Sequence, residues 1–134
     1  MKKLPKISII VPIFNGEDFV ERCIKSLIEQ TLKETEIIII NDGSDDKTEK
    51  ILQQYKSTDT RIKIITLDKN YGQGYCRNIG IQIAKGEYIA FIDSDDKVDY
   101  NYFEKLYSTI TKYNADIATT NILKHKKNYK KYNV

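Results

Sequence analysis

Short continuous apolar runs alternate along this chain with stretches whose apolar residues fall three and four apart. Residues 7 to 13 read ISIIVPI, the β-branched run that a strand buried on both faces requires. Pro12 has no N–H, so it belongs where ladder pairing ends. Asn15 is placed to cap a following helix, with Asp18 three residues on. In that helix Phe19, Val20, Cys23, Ile24, Leu27 and Ile28 form one stripe, which makes Cys23 a core residue. Residues 36 to 40, EIIII, predict a second buried strand that ends in Asn41-Asp42-Gly43-Ser44. Asp-Gly ordinarily marks a hairpin, but no strand follows. Thr48, Ile51, Leu52 and Tyr55 have helical spacing instead. Ser44 is expected as the N-cap of that helix, with Asp45 and Asp46 well placed in its first turn. Residues 61 to 67 alternate and predict a third strand, at an edge. A helix over 72 to 84 lines up Cys76, Ile79, Gly80 and Ile83, and a strand over 87 to 92 runs straight into Asp93-Ser94-Asp95-Asp96. A helix from about 100 to 113 buries Phe103, Leu106, Tyr107 and Ile110, and residues 115 to 122 predict a fifth strand. The order βαβαβαβαβ predicts an α/β fold: a mostly parallel, Rossmann-like sheet with right-handed crossovers and helices on both faces.

No repeat, low-complexity block or Pro/Ser-rich linker divides the 134 residues, so one domain is expected. It covers residues 1 to 122, and residues 123 to 134 form a Lys-rich, flexible tail. Charge supports that division. The net +3 comes from five lysines at 124, 126, 127, 130 and 131; without them 17 basic residues face 19 acidic ones, leaving the body at −2. A nucleic-acid-binding domain carries its basic excess on the folded body, so nucleic acid is not an expected partner. The tail suits either a solvated end or a peripheral contact with anionic lipid headgroups, where each Lys contributes about 1 kcal/mol. The longest apolar run, residues 7 to 14, has eight members, against the roughly 20 that a membrane-spanning helix needs. The start MKKLPK resembles a signal-peptide opening, but its apolar stretch is short and no small-residue cleavage site follows. A cytoplasmic protein is expected. The 2 cysteines form no CxxC pair, which argues against cysteine-based zinc or redox chemistry.

In open α/β sheets ligands bind beyond the carboxyl ends of the strands. Three polar clusters fall there: Asn15-Gly16, Asp42-Gly43-Ser44 and Asp93-Ser94-Asp95-Asp96. Acids at 93, 95, 96 and 99 in one short loop repel each other unless solvated, paired or holding a cation. Magnesium and manganese take oxygen ligands, typically one or two carboxylates plus substrate phosphates. Asp96 and Asp99 equally suit the start of the next helix. Competing motifs fail. An EF-hand loop begun at Asp93 meets Lys97 at its fifth place and Val98 at its sixth. Gly72-Gln73-Gly74 follows the third strand rather than the first and leads to Arg77, where a dinucleotide fingerprint needs glycine. No Gly-Lys-Ser/Thr occurs, and the lone His125 sits in the Lys tail.

The stretches ISIIVPIFN (7 to 15), IINDGSDDKT (39 to 48) and NYGQGYCRNIGIQIAKGEYIAFIDSDD (70 to 96) resemble the family 2 inverting nucleotide-sugar glycosyltransferases of GT-A fold, over about residues 6 to 122. The resemblance implies a UDP-sugar donor, a Mn²⁺ or Mg²⁺ ion, and a glycan or lipid-linked acceptor. It implies that Pro12 to Asn15 floor the base pocket, with Phe14 near the uracil face or else in the core. Asp42 would accept the pyrimidine imide N–H, and Gly43 would let the backbone turn close to the base. Arg77 would contact base or phosphate, unless it makes a surface salt bridge. Asp93 would hold the ribose hydroxyls beside Ser94, and Asp95 would ligate the metal, with Asp93 and Asp96 as further metal candidates.

Inversion also needs a base that deprotonates the acceptor hydroxyl, which in the family lies well downstream of the Asp-x-Asp. Only 38 residues follow Asp96, and no acid follows Asp116, a poor candidate at the opening of the fifth strand. The chain therefore reads as the nucleotide-binding half, incomplete for catalysis, with no catalytic residue assigned. Two alternatives are a non-catalytic nucleotide-binding or interaction module on the same fold, and a nucleotidyltransferase. The acidic Asn15-Gly16-Glu17-Asp18 argues against the latter, which needs a basic Gly-rich loop there.

Overall fold

The two central strands carry the fold, and their sequences leave them no alternative. In the computed structural model, which describes residues 3 to 120 and the backbone of 123–124 and 132–133, β1 (Ile7–Ile13) and β2 (Thr35–Asn41) are buried at every position. They pair in parallel, from Ile7 opposite Thr35 to Ile13 opposite Asn41. Because side chains alternate across a strand, the two runs feed two cores. Ile9, Val11, Ile37 and Ile39 meet Val20, Cys23, Ile24, Leu27, Leu52 and Phe103 on one face. Ile10, Ile38 and Ile40 meet Cys76, Ile79 and Ile83 on the other. The first face is covered by α1 (Val20–Ile28), α2 (Thr48–Thr58) and α4 (Tyr102–Lys112); the second is covered by α3 (Gln73–Ile83).

Strand β3 (Ile62–Thr66) pairs with β2, and β4 (Tyr88–Phe91) with β1, both in parallel, giving the order β3-β2-β1-β4. The third strand is thus at an edge, as its alternation predicts. No strand forms over 115 to 120, where a fifth was expected. That stretch offers one large apolar residue, Ile117, which stays 79% exposed, so burial does not hold it against the sheet. The later strands are β5 (Leu123–Lys124) and β6 (Tyr132–Asn133), which pair antiparallel with each other. The rest of the Lys-rich tail, with its expected lipid contact, and His125 lie outside the described residues. Among the described residues no helix is long and apolar enough to cross a membrane.

Candidate donor-binding cleft

All four parallel strands point their carboxyl ends at the same side of the molecule. There the loops enclose a cleft of about 460 Å³, lined by Pro12, Ile13, Phe14, Phe19, Asp42, Asn70, Gly72, Gln73, Asp93, Ser94 and Asp95. Phe14 is 46% exposed at its wall; it belongs to the cleft rather than the core.

Its first wall is built from two loops that hold each other. Asn15 sits at φ 49°, a left-handed conformation that Asn tolerates better than most residues. Its N–H donates to Ser44 Oγ at 2.9 Å, and its Oδ1 accepts the N–H of Asp45 at 3.0 Å. The N–H of Gly16 donates to Thr48 Oγ1, that of Glu17 to Asp46 Oδ2, and that of Lys47 to Glu17 Oε2. Neither expected helix cap forms. Helix α1 begins five residues after Asn15 and α2 four after Ser44, because both polar side chains are spent across the loop pair. Burial alone would push Asp46 up, but hydrogen bonds from Thr48 and Glu17 hold its carboxyl below the usual range.

The second wall is set by Asp42. Its two oxygens accept the N–H groups of Tyr71 at 2.7 Å and Gly72 at 2.9 Å, tying the turn before α3 to the end of β2. A carboxylate offers about four lone-pair sites, so these two N–H groups leave acceptor capacity on a residue that lines the cleft. Gly43, at φ 71°, backs onto that same turn: a Cβ would come within 2.4 Å of the Lys69 carbonyl carbon. The sterics that demand glycine here come from the protein's own backbone. Cys76 lies beneath, its thiol pushed up to about 12 by burial and by the adjacent Asp42. Burial and nearby Asp96 and Asp95 likewise push Cys23 up to about 12. Neither thiol is a nucleophile at neutral pH.

The third wall is the acidic loop. Arg77 Nη2 pairs with Asp93 Oδ1 at 3.0 Å and sits over the Phe91 ring; it reaches the cleft through Asp93 rather than lining it. The Asp95 carboxylate takes no hydrogen bond or ion pair among the described residues; only its backbone carbonyl is engaged, by Arg22 Nη2 at 2.7 Å. Asp96 lies just outside the lining. Burial first, then Asp95 and Asp93, raise its carboxyl above the usual range, with Arg22 opposing. Among the described residues no three His, Cys, Asp or Glu side chains converge into a site that could hold a metal unaided. Asp99 precedes α4: its carbonyl accepts from Tyr102 N–H and Gln30 Nε2.

The cleft also depends on residues that sequence reasoning passed over. Gln30 is fully buried and bonds Ser26 and Asp99 carbonyls and the Phe103 N–H, joining α1 to α4. It lies two residues beyond the end of α1, three after Leu27, where the helix pattern has already stopped. Asn70 lines the cleft from a loop with no pattern of its own, and Gln73 lines it from the first residue of α3.

A parallel sheet with its cleft at the strand ends, an Asp-Gly turn on one side and a carboxylate loop on the other is an α/β architecture of the GT-A kind. The family comparison agrees: residues 8–134 match the model for glycosyl transferase family 2, and the chain belongs to that family. It is 41% identical over 116 residues to the glycosyltransferase GlyA of Streptococcus pneumoniae, covering 87% of this chain and 16% of that protein. It is 40% identical over 129 residues to the uncharacterised glycosyltransferase EpsJ of Bacillus subtilis, covering 96% and 37%. Among solved structures it is similar to Staphylococcus aureus TarS 1–349 in complex with UDP-GlcNAc, with TM-score 0.77, 30% identity, and 81% and 32% of the two chains covered. The chain thus spans well under half the length of these relatives.

Proposed function

We propose that the cleft binds a UDP-sugar together with Mn²⁺ or Mg²⁺, as the donor side of an inverting transfer to a glycan or lipid-linked acceptor. The observation that carries this reading is the pairing, in one cleft, of Asp42 at one wall with the unpartnered carboxylate of Asp95 at the other. The similarity to a TarS structure holding UDP-GlcNAc supports the choice of nucleotide. Phe14 and Pro12 offer an apolar floor for a planar base. Asp42 accepts the imide N–H with its remaining lone pairs, a charge-assisted bond that favours uracil over cytosine. Asn15 and Gly43 shape that floor by locking the turns around it. Asp93, steadied by Arg77, faces the ribose hydroxyls beside Ser94.

The donor set fits a hard divalent cation only in part. Asp95, with Asp93 and Asp96 adjacent, supplies oxygen ligands, and a diphosphate must supply others, the usual mode for these ions. When bound, such an ion is a Lewis acid that stabilises the departing diphosphate. No described residue is assigned as the base that takes the acceptor's proton, and the reading places that step with the acceptor-binding part of a longer protein.

Calorimetry of UDP with and without Mn²⁺ tests the proposal. Affinity should rise at least about tenfold with the ion, because it relieves repulsion between diphosphate and the acidic loop. Asp95→Ala should abolish that gain. Equal affinity in both conditions would overturn the metal role, and equal affinity for UDP and CDP would overturn base reading by Asp42.

A further inference from the structure

Helix α1 and Gln30, two residues beyond its end, grip the acidic loop. Cys23 Sγ lies 3.7 Å from the Asp93 carbonyl oxygen, Ser26 Oγ accepts the Val98 N–H at 3.4 Å, and Gln30 Nε2 donates to the Asp99 carbonyl at 2.6 Å. These three side chains are buried and belong to the core as much as to the loop. Arg22 is different. It is exposed, outside the apolar stripe, and contributes nothing to either core. Yet its Nη2 donates to the Asp95 carbonyl at 2.7 Å. A guanidinium beside several carboxylates ordinarily forks onto one of them. Here it takes the peptide oxygen and leaves the Asp95 carboxylate without a partner.

We propose that Arg22 is a positioning residue for the donor site, holding the Asp95 peptide so that the carboxylate stays turned to the cleft, and that it thereby sets the affinity of the loop for a divalent cation with UDP. This rests on the reading of the acidic loop given above. Two effects of Arg22 on a cation oppose each other. Its charge repels the ion, but an exposed charge is strongly attenuated by water and salt. Its hydrogen bond removes a freedom the loop would otherwise have to lose on binding, and preorganisation of that kind adds directly to affinity. The second effect is the larger. The opposite signs make the two distinguishable.

The test compares wild type, Arg22→Gln, Arg22→Lys and Asp95→Ala. Free Mn²⁺ is followed by electron paramagnetic resonance with UDP present, metal-free UDP affinity by calorimetry, and backbone amide exchange over residues 94 to 97 by NMR. Arg22→Gln should weaken Mn²⁺ binding roughly five- to tenfold, the scale of one ordinary net hydrogen bond. It should speed exchange at the Asp96 amide, which donates to the Asp93 carbonyl across this turn. Metal-free UDP affinity should not change. Arg22→Lys keeps the charge without the planar fork and should fall between. Unchanged or tighter Mn²⁺ binding in Arg22→Gln, with Asp95→Ala still defective, overturns the role of Arg22 alone. An Asp95→Ala protein that binds Mn²⁺ and UDP like wild type overturns the reading of the loop and the role of Arg22 together.

Discussion

At the amino end of the sheet, Glu36 is 5% exposed and every contact its carboxylate needs is present. At the carboxyl end, Asp95 and Asp96 are exposed, and their carboxylates are left without hydrogen-bond partners among the described residues. Ser8 Oγ donates to Glu36 Oε1 at 2.5 Å, the Lys85 N–H to the same oxygen at 2.6 Å, and Lys63 Nζ to Oε2 at 2.6 Å. The Gly86 N–H closes the group onto Ser8 Oγ. The titration behaviour splits accordingly. Burial alone would push Glu36 up, but Lys63, Ser8 and the Lys85 N–H together hold it below the usual range. Asp96 moves the other way, raised by partial desolvation and by Asp95 and Asp93. One end uses an acid to fasten three strands and a loop. The other leaves its acids unsatisfied, the feature on which the proposed cation binding rests.

The sharpest way to break that contrast is at the satisfied end. Glu36→Ala strands Ser8 Oγ, the Lys85 N–H and the Lys63 ammonium, and should cost on the order of 3 kcal/mol. Urea unfolding measures it, and UDP affinity of the folded fraction should be unchanged because the cleft lies at the opposite strand ends. The sign with pH follows from linkage. Glu36 is depressed in the folded state, so its stabilising contribution is present above the ordinary value near 4.5 and is lost as pH falls through the lower folded value. The variant should therefore lose less stability than wild type on acidification below pH 4.5.

Asp42→Asn tests a carboxylate that belongs to both regimes. The amide places an NH₂ where the Tyr71 or Gly72 N–H needs an acceptor. A loss of about 1.5–3 kcal/mol is expected, shared between stability and UDP affinity. If stability falls while UDP affinity holds, Asp42 is a clamp for the turn before α3 and does not read the base.

The smallest effect is at the unsatisfied end. Asp96 is raised in the folded state, so its ionised form carries a penalty above its folded value, and that penalty vanishes below the ordinary value of 3.8. Asp96→Asn should stabilise the fold at pH 7 by less than about 1 kcal/mol, given solvent screening, and match wild type near pH 3 where both are neutral. A destabilised variant at pH 7 would mean that Asp96 makes a structural contact the loop depends on.

Much of this architecture was legible because it rests on burial with a strict period. ISIIVPI and EIIII have no polar face to turn to water, so they had to be central strands, and the stripes of the four helices named the faces that cover them. The three polar clusters fell at strand ends for the same reason, since a parallel sheet brings those ends together. The cross-chain bonds, by contrast, were not readable. Asn15 and Ser44 each carry a strong local capping signal, and both were diverted to a neighbouring loop 29 residues away. The Arg22 bond to the Asp95 carbonyl spans 73 positions and leaves no periodicity behind. The need for glycine at 43 was likewise not readable as a contact, because the Lys69 backbone that a Cβ would strike is brought there only by the fold. The strand expected over 115 to 122 does not form over its described residues, 115 to 120, because they have too little apolar surface to bury. Sequence by itself determined which residues leave water. Tertiary structure alone decided which polar groups meet, because hydrogen bonds are directional and depend on positions that distant segments reach only after the sheet has closed.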